Sequence, residues 1–189
     1  PFVTASTIVS GGATAGAGIP PQAITNVIGV AKAYVTRVGD GPMPTELFDE
    51  NGKTLAQRGH EFGTTTGRPR RCGWFDAETV RFGTKLNGMT ELVITKLDVL
   101  DSFKMIKICI GYTLNGKSVR YVDGDSVFLA KVKPVYKEMK GWKRSTIGVT
   151  SFSDLPKEAR DYIETIEKLV GVRVSYISNG AKRDEIIKR

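Results

Sequence analysis

Residues 153–177 read SDLPKEARDYIETIEKLVGVRVSYI and predict a helix followed directly by a strand. Ser153 or Asp154 is suited to cap the start of the helix, with Pro156 in its first turn, and Gly171 is a typical stop signal. The apolar residues in between recur at helical spacing and define one face. That face consists of Leu155, Ala159, Tyr162, Ile163, Ile166, Leu169 and Val170. A helix that returns as an apolar strand is the building unit of an α/β sheet.

The middle of the chain repeats this alternation of helices and apolar strands. Residues 76–86 predict a short helix that ends at Asn87-Gly88, and residues 92–95 and 105–112 predict buried strands. Residues 118–136 predict antiparallel strands with alternating faces. One of those faces carries Val127, Leu129, Lys131, Lys133 and Val135. The pattern therefore predicts an α/β fold.

The first sixty residues predict a looser arrangement. Residues 4–18, rich in Thr, Ser, Gly and Ala, predict irregular structure. Pro20-Pro21 predicts the start of a helix, residues 33–38 a strand, and residues 46–59 a polar excursion. The predicted helix has an apolar stripe made of Ile24, Val27, Ile28, Val30 and Ala31.

Composition and charge limit the classes of partner. The formal charge of the 189-residue chain is +8, from 28 Lys+Arg against 20 Asp+Glu. Such an excess favours nucleic acid or phosphorylated small molecules as partners, although lysine-rich surfaces also serve solubility alone.

No apolar run reaches about 18 residues, so no membrane helix is expected. Cys72, Cys109 and His60 have no recognised metal-site or disulfide spacing, and His60 is predicted to be an ordinary loop residue.

The segment with the most concentrated chemistry is residues 63–74, GTTTGRPRRCGW. Three threonines, two glycines and three arginines fall within residues 63–71. Glycine lets the backbone approach a ligand closely, and hydroxyl, backbone N–H and guanidinium groups donate to carboxylate or phosphate oxygens. The segment is therefore predicted to be an anion-recognition loop.

Two predicted strand ends carry residues suited to reading a guanine base. Residues 95–98, TKLD, follow one apolar strand, and residues 178–180, SNG, follow another. Ligands of open α/β sheets bind beyond the carboxyl ends of strands. The Asp98 carboxylate can accept from the guanine N1–H and amino group, a donor pair that adenine lacks, and the stem of Lys96 can cover the purine. Either segment alone is also compatible with a solvated turn, but together they predict a nucleotide-base pocket.

Residues 63–74 resemble the aspartate-binding signature of the adenylosuccinate synthetases. Residues 36–42 (TRVGDGP), 44–47 (PTEL), 95–101 (TKLDVLD) and 154–172 match other segments of that family, so the resemblance covers essentially the whole chain. Members of the family use GTP and Mg²⁺ to phosphorylate the 6-oxygen of IMP. L-aspartate then displaces that phosphate to give adenylosuccinate, the first step from IMP towards AMP. The resemblance implies a fold related to the P-loop GTPases, with a mostly parallel central sheet flanked by helices and an added antiparallel element.

The resemblance also implies residues for three subsites within one unit of residues 1–189. The aspartate subsite would be Thr64, Thr65, Thr66, Gly67, Arg68, Pro69 and Arg70. The IMP subsite would include Thr4, Val38 and Arg68. The GTP subsite would include Arg70, Lys96, Leu97, Asp98, Ser178, Asn179 and Gly180. The chain departs from the family at Ala181, where a proline is common.

The resemblance is to the C-terminal part of the family's chain. Family members begin with a glycine-rich phosphate-binding loop and carry there an aspartate and a histidine as catalytic base and acid. No Gly-x-x-x-x-Gly-Lys segment or comparable cradle occurs in this sequence. We therefore expect the catalytic groups and the Mg²⁺ ligands upstream of Pro1, in the same or a separate chain, and expect the isolated 189 residues to be inactive. The family implies a cytoplasmic homodimer that binds neither nucleic acid nor membrane.

Two other functions stay open at the level of sequence. One is a catalytically inactive nucleotide-binding or interaction module built on the same half-fold. The other is a basic nucleic-acid binder, which the isolated positions of Trp74 and Trp142 disfavour because no aromatic stacking pattern interleaves with the basic residues.

Overall fold

The computed structural model describes residues 9–63, 67–120 and 125–189. The helices within these ranges are α1 (Gly11–Ala17), α2 (Glu50–Arg58), α3 (Ala77–Asn87), α4 (Ser126–Lys131) and α5 (Lys157–Val170). The strands are β1 (Ile28–Lys32), β2 (Val35–Arg37), β3 (Arg71–Gly73), β4 (Phe75–Asp76), β5 (Glu91–Thr95), β6 (Met105–Leu114), β7 (Lys117–Val119), β8 (Lys133–Lys140), β9 (Arg173–Ser178) and β10 (Ile186–Lys188). Short 3₁₀ helices occupy Pro21–Ala23, Leu97–Leu100 and Phe152–Asp154.

The central sheet has the strand order β1-β5-β9-β10. β1, β5 and β9 run parallel, and β10 pairs antiparallel with β9. Lys32 is opposite Thr95 and Ile94 is opposite Ile177, so three strands reach their carboxyl ends at one edge of the sheet. The α/β class and the mostly parallel central sheet flanked by helices are thereby confirmed.

A second sheet forms around β6, which pairs parallel with β4 and antiparallel with β7 and β8. This is the predicted antiparallel element. The expectation of strands throughout residues 118–136 was wrong in one part, because Val127, Leu129 and Lys131 lie in α4. The Asp125 carboxylate accepts a hydrogen bond from Val127 N (2.9 Å) and caps this helix, a local signal stronger than the alternation of apolar residues.

The helix predicted from Pro20 onward was wrong. After one 3₁₀ turn at Pro21–Ala23, the chain becomes extended and enters β1. Val27 N donates to Thr90 Oγ1 (3.1 Å), and Thr90 N donates to Val27 O (2.9 Å), so a neighbouring strand satisfies the backbone. The β-branched residues of this segment lose side-chain freedom in a helix and fit a pleated sheet, which outweighs the helical spacing of the apolar stripe.

Two segments that were expected to lack regular structure contain helices. The described part of residues 4–18 includes α1, which ends at Gly18 in the left-handed conformation (φ 65°). The excursion 46–59 contains α2, where the Asp49 carboxylate accepts from Asn51 N and Gly52 N (3.1 and 3.2 Å). Both helices bury few apolar side chains, so the periodicity that identifies a helix in sequence is weak in them.

Helix α5, which was predicted from residues 153–177, buries the apolar face predicted for it, and Leu169 of that face is partly buried. Its start differs, because Pro156 is the capping residue and Phe152–Asp154 form a separate 3₁₀ turn. Gly171 ends the helix with φ 79°, as predicted. The Tyr162 hydroxyl donates to Ala33 O (2.7 Å) and so ties α5 to the carboxyl end of β1.

Tyr162→Phe tests this connection between helix and sheet edge. Removal of the hydroxyl leaves the buried carbonyl of Ala33 without that donor, which costs about 1–3 kcal/mol of unfolding free energy. Urea denaturation monitored by circular dichroism gives the value. Tyr176→Phe, at a partly buried position on β9, is the control and should change stability by less than about 0.5 kcal/mol. Equal effects of both substitutions would contradict a specific role for the Tyr162 hydrogen bond.

Candidate functional site

The described residues on either side of the predicted anion loop pair with each other as in a hairpin. Phe62 bridges antiparallel to Pro69, and Arg70 N donates to the backbone carbonyl of Glu61 (2.8 Å). Gly67 adopts a left-handed φ of 64°, which glycine tolerates and which turns the chain back. Thr64, Thr65 and Thr66, like Thr4 of the predicted IMP subsite, lie outside the described residues.

A buried carboxylate stands at the base of this hairpin. Glu61 is fully shielded from solvent, and its carboxylate accepts hydrogen bonds from four side chains. They are Lys32 Nζ (2.9 Å to each oxygen), Tyr34 OH (2.6 Å), Arg70 Nη1 (3.0 Å) and Lys96 Nζ (3.0 Å). Lys32 comes from the end of β1, Lys96 from the end of β5 and Arg70 from the hairpin. The carboxylate thus joins the anion loop to the sheet edge.

The electrostatics of this cluster fix the charge of Glu61. Burial by itself raises the pKa of the carboxyl, but the hydrogen bonds from Tyr34 and from the three cations lower that pKa to about 2. Burial raises the pKa of the Tyr34 phenol, and the bond to Glu61 adds to the rise. Glu61 is therefore ionised and Tyr34 is a neutral donor at any working pH.

The cluster of Lys32, Arg70, Lys96 and Glu61 carries three positive charges against one negative charge. Arg70 Nε is buried and has no hydrogen-bond partner within the described ranges. A guanidinium donor buried in this way is costly unless a ligand oxygen accepts from it. The arrangement is therefore suited to hold an anion next to Arg70.

The residues at the end of β5 form a tight turn that presents Asp98. Lys96 has a left-handed φ of 60°, and the 3₁₀ turn Leu97–Leu100 follows it. Arg58 of α2 donates to Val99 O (3.0 Å) and Asp98 O (3.1 Å), which holds the turn from outside. Burial above all raises the pKa of the Asp98 carboxyl, so a ligand that donates to this group would offset its desolvation.

The turn after β9 is anchored to the same region by buried hydrogen bonds. The Asn179 amide nitrogen donates to the carbonyls of Val149 (2.8 Å) and Thr146. Thr146 in turn donates through N and Oγ1 to the Asp101 carboxylate (2.9 Å each), which also accepts from Trp142 Nε1 (2.7 Å). Asn179 Oδ1 is buried and has no partner among the residues that the structure describes. The two predicted base-reading segments therefore lie on adjacent parallel strands, connected through Asp101.

The three arginines of the loop have different surroundings. Arg71 pairs with Glu46 and donates to the carbonyls of Gly39 (3.2 Å) and Gly41 (2.7 Å), so it holds the preceding loop in place. Arg68 is exposed, as is Val38, which directly follows β2. Of the three, Arg70 alone joins the Glu61 cluster in the described hydrogen bonds.

Sequence reasoning missed Lys32, Tyr34 and Glu61. Lys32 was hidden because the segment before it was predicted as a helix rather than as a strand that ends at the sheet edge. Glu61 had one usable signal, an acidic residue two positions before a glycine-rich basic loop. Only the fold brings these side chains to Arg70 and Lys96.

Two classes of feature are absent from the described ranges 9–63, 67–120 and 125–189. There is no group of three or more His, Cys, Asp or Glu side chains that could hold a metal ion. No helix within these ranges has the length and apolarity needed to cross a membrane.

Comparison with known proteins identifies relatives along the whole chain. The family model described as adenylosuccinate synthetase matches residues 1–187. The chain is 50% identical over 188 residues to the adenylosuccinate synthetase of Bifidobacterium adolescentis, covering 100% of this chain and 44% of that protein. It is 49% identical to that of Geobacter sulfurreducens, with coverages of 99% and 43%. The structure of fully ligated adenylosuccinate synthetase from Plasmodium falciparum superposes with a TM-score of 0.96 at 36% identity, covering 100% of this chain and 46% of that one.

The pKa of Glu61 predicts a specific loss of stability in acid. Because the folded-state pKa of about 2 lies below the ordinary value of 4.5, this carboxylate stabilises the fold above pH 4.5 and loses that contribution as the pH falls towards 2. Between pH 6 and pH 3 the loss from this group is about 2 kcal/mol, measurable by urea denaturation at both values. Glu61→Gln should remove that pH-dependent part, whereas Glu50→Gln, in an exposed ion pair with Lys53, should keep it. An unchanged acid dependence in Glu61→Gln would refute the prediction.

Proposed function

Because the chain belongs to the adenylosuccinate synthetase family, we propose that it supplies the aspartate, guanine and part of the IMP subsites of an enzyme that ligates L-aspartate to IMP at the expense of GTP. The chain spans about 44% of the length of the curated relatives it matches. The observation that carries the proposal is the buried cluster around Glu61, which holds Arg70 of the anion loop and Lys96 of the guanine segment at one sheet edge.

The aspartate subsite is proposed for residues 64–70, with Arg70 as the main carboxylate ligand. Arginine forms a planar fork that matches a carboxylate with two parallel hydrogen bonds. Arg70 Nε has no partner among the described residues, which supports this role because one side of the guanidinium is already fixed on Glu61. The hydroxyls of Thr64, Thr65 and Thr66 and the guanidinium of Arg68 would complete the aspartate subsite. Arg68 would also face the IMP ribose, together with Thr4 and Val38.

The guanine subsite is proposed for residues 96–98 and 178–180. The Asp98 carboxylate would accept from N1–H and the amino group of guanine, and the aliphatic stem of Lys96 would cover the base. Asn179 Oδ1, which is buried and has no partner among the described residues, is a polar acceptor at this edge. Adenine leaves Asp98 without its donors, which is the physical basis of the preference for GTP.

In this proposal the described residues contribute binding and orientation of the substrates. We propose that the remainder of the protein supplies the phosphate-binding loop, the general base and acid, and the Mg²⁺ ligands. Bound Mg²⁺ would neutralise charge on the transferring phosphoryl group. A cytoplasmic homodimer is part of the same proposal.

Turnover by the complete protein is the direct test. We expect IMP, GTP and L-aspartate to give adenylosuccinate, GDP and phosphate, detected by chromatography, and we expect no turnover by the 189 residues alone. A complete protein that binds GTP without forming adenylosuccinate would favour the alternative of an inactive nucleotide-binding module.

Asp98→Asn tests the guanine subsite. An amide retains the size of the carboxylate but puts a donor where an acceptor is needed, so the preference for GTP over ATP should fall about 10-fold or more. The ratio of kcat/KM for the two nucleotides measures this in the complete protein. Asp154→Asn, in the 3₁₀ turn before α5, is the control and should keep the parent ratio. An unaltered ratio in Asp98→Asn would remove Asp98 from base recognition.

Arg70→Lys tests the aspartate subsite. Lysine keeps the charge but loses the fork, so the KM for L-aspartate should rise about 10-fold or more. Arg160→Lys, on α5, is the matched control and should leave that KM unchanged. If the KM for L-aspartate in Arg70→Lys equals that of the parent, Arg70 does not bind this substrate.

A further inference from the structure

The Glu61 carboxylate is shared between the two proposed subsites. Oε1 accepts from Lys96, which precedes the guanine-reading Asp98, and Oε2 accepts from Arg70 of the anion loop. We propose that Glu61 is a positioning residue that couples the two subsites, so that occupation of one orders the other. This inference rests on the proposed function of the two sites.

Each oxygen of Glu61 has a distinct set of donors. Tyr34 and Lys96 donate to Oε1, Arg70 donates to Oε2, and Lys32 lies at 2.9 Å from both oxygens. The carboxylate is fully buried beneath these donors, so every hydrogen bond it accepts comes from the protein in this structure. A rotation that improves the bond to Arg70 therefore changes the bond to Lys96 as well. This sharing is the physical route of the coupling.

The contacts fix the orientations of both cations. Arg70 uses Nη1 on the Glu61 carboxylate and its backbone N–H on the Glu61 carbonyl, and its buried Nε has no partner among the described residues. Lys96 donates to Glu61 and also to the carbonyl of Gly59, with its backbone in the left-handed region. Its ammonium is thereby drawn towards the hairpin, while the following residues enter the 3₁₀ turn that carries Asp98.

A contribution to stability alone does not explain why Glu61 is buried with three cations. Burial of a carboxylate with three cations has a large desolvation cost, and well-packed apolar residues often stabilise a protein as much or more. What apolar residues cannot do is orient a guanidinium and an ammonium at the same time. In metal sites, loss of an outer partner that orients a ligand lowers affinity about 10- to 100-fold. We expect an effect at the lower end of that range.

The test uses Glu61→Gln in the complete protein, with Glu46→Gln as the matched control. Glu46 pairs with Arg71, the neighbouring arginine of the same hairpin, without contacting Arg70 or Lys96 in the described hydrogen bonds. Glu61→Gln should raise the KM for both GTP and L-aspartate about 10-fold, with the KM for IMP within about 2-fold of the parent. Glu46→Gln should leave the KM values for GTP and L-aspartate near those of the parent.

Coupling is measured directly by calorimetric titration of GTP with and without saturating L-aspartate, which needs no turnover. The parent should bind GTP more tightly when L-aspartate is present, and Glu61→Gln should lose that difference. An equal enhancement in parent and variant, or a change in only one of the two KM values, would overturn the proposal. An equal rise of all three KM values would show a general loss of structure and would also overturn it.

Glu61→Asp covers the case in which Glu61→Gln does not fold. It keeps the charge but withdraws the oxygens from Arg70 and Lys96, so it should raise both KM values and weaken the calorimetric coupling in the same direction. A parent protein that forms no adenylosuccinate would disprove the proposed function. The calorimetric difference would still decide whether Glu61 couples the sites.

Discussion

The site depends on one buried carboxylate that must remain charged. Glu61 has no access to solvent, and its charge is compatible with burial only because three cations and a tyrosine hydroxyl donate to it. Those donors come from the ends of two parallel strands, from the residues just after β1 and from the anion loop. Because the buried carboxylate needs all of these donors, its burial also holds the anion loop against the sheet.

The parallel sheet makes this convergence possible. Parallel strands that start in register finish at the same edge, so β1, β5 and β9 deliver Lys32, Lys96 and the 178–180 turn side by side. Helix α5 supports this edge from one face, and its Tyr162 hydroxyl satisfies the carbonyl that follows β1. In the 3₁₀ turn that follows Lys96, two backbone carbonyls accept hydrogen bonds from Arg58 of α2. The residues proposed to face the ligands therefore lie next to backbone carbonyls that already accept hydrogen bonds.

The arginine loop shows how one composition serves two purposes. Arg71 pairs with Glu46 and fixes the preceding loop, whereas Arg70 pairs with Glu61 and keeps a buried N–H that has no partner in the part of the chain the structure describes. Arg71 is the first residue of β3, whereas Arg70 lies just before that strand. The arginine-rich segment was predicted to bind an anion throughout. In the folded chain, one of its arginines, Arg71, has a structural role instead.

The sequence by itself determined the elements whose signals are local. The apolar face of α5 with its glycine stop, the helix α3 between its caps Asp76 and Gly88, the positions of strands β5 and β6, and the family resemblance were all readable from spacing and residue type. Tertiary structure decided the rest. β1 became a strand because pairing with β5 satisfies its backbone, α4 and α2 formed at aspartate caps with little apolar periodicity, and Glu61 acquired its partners from residues up to 35 positions away. Hydrogen bonds between distant residues leave no periodic trace in a sequence, so the centre of the site could be recognised only in the folded chain.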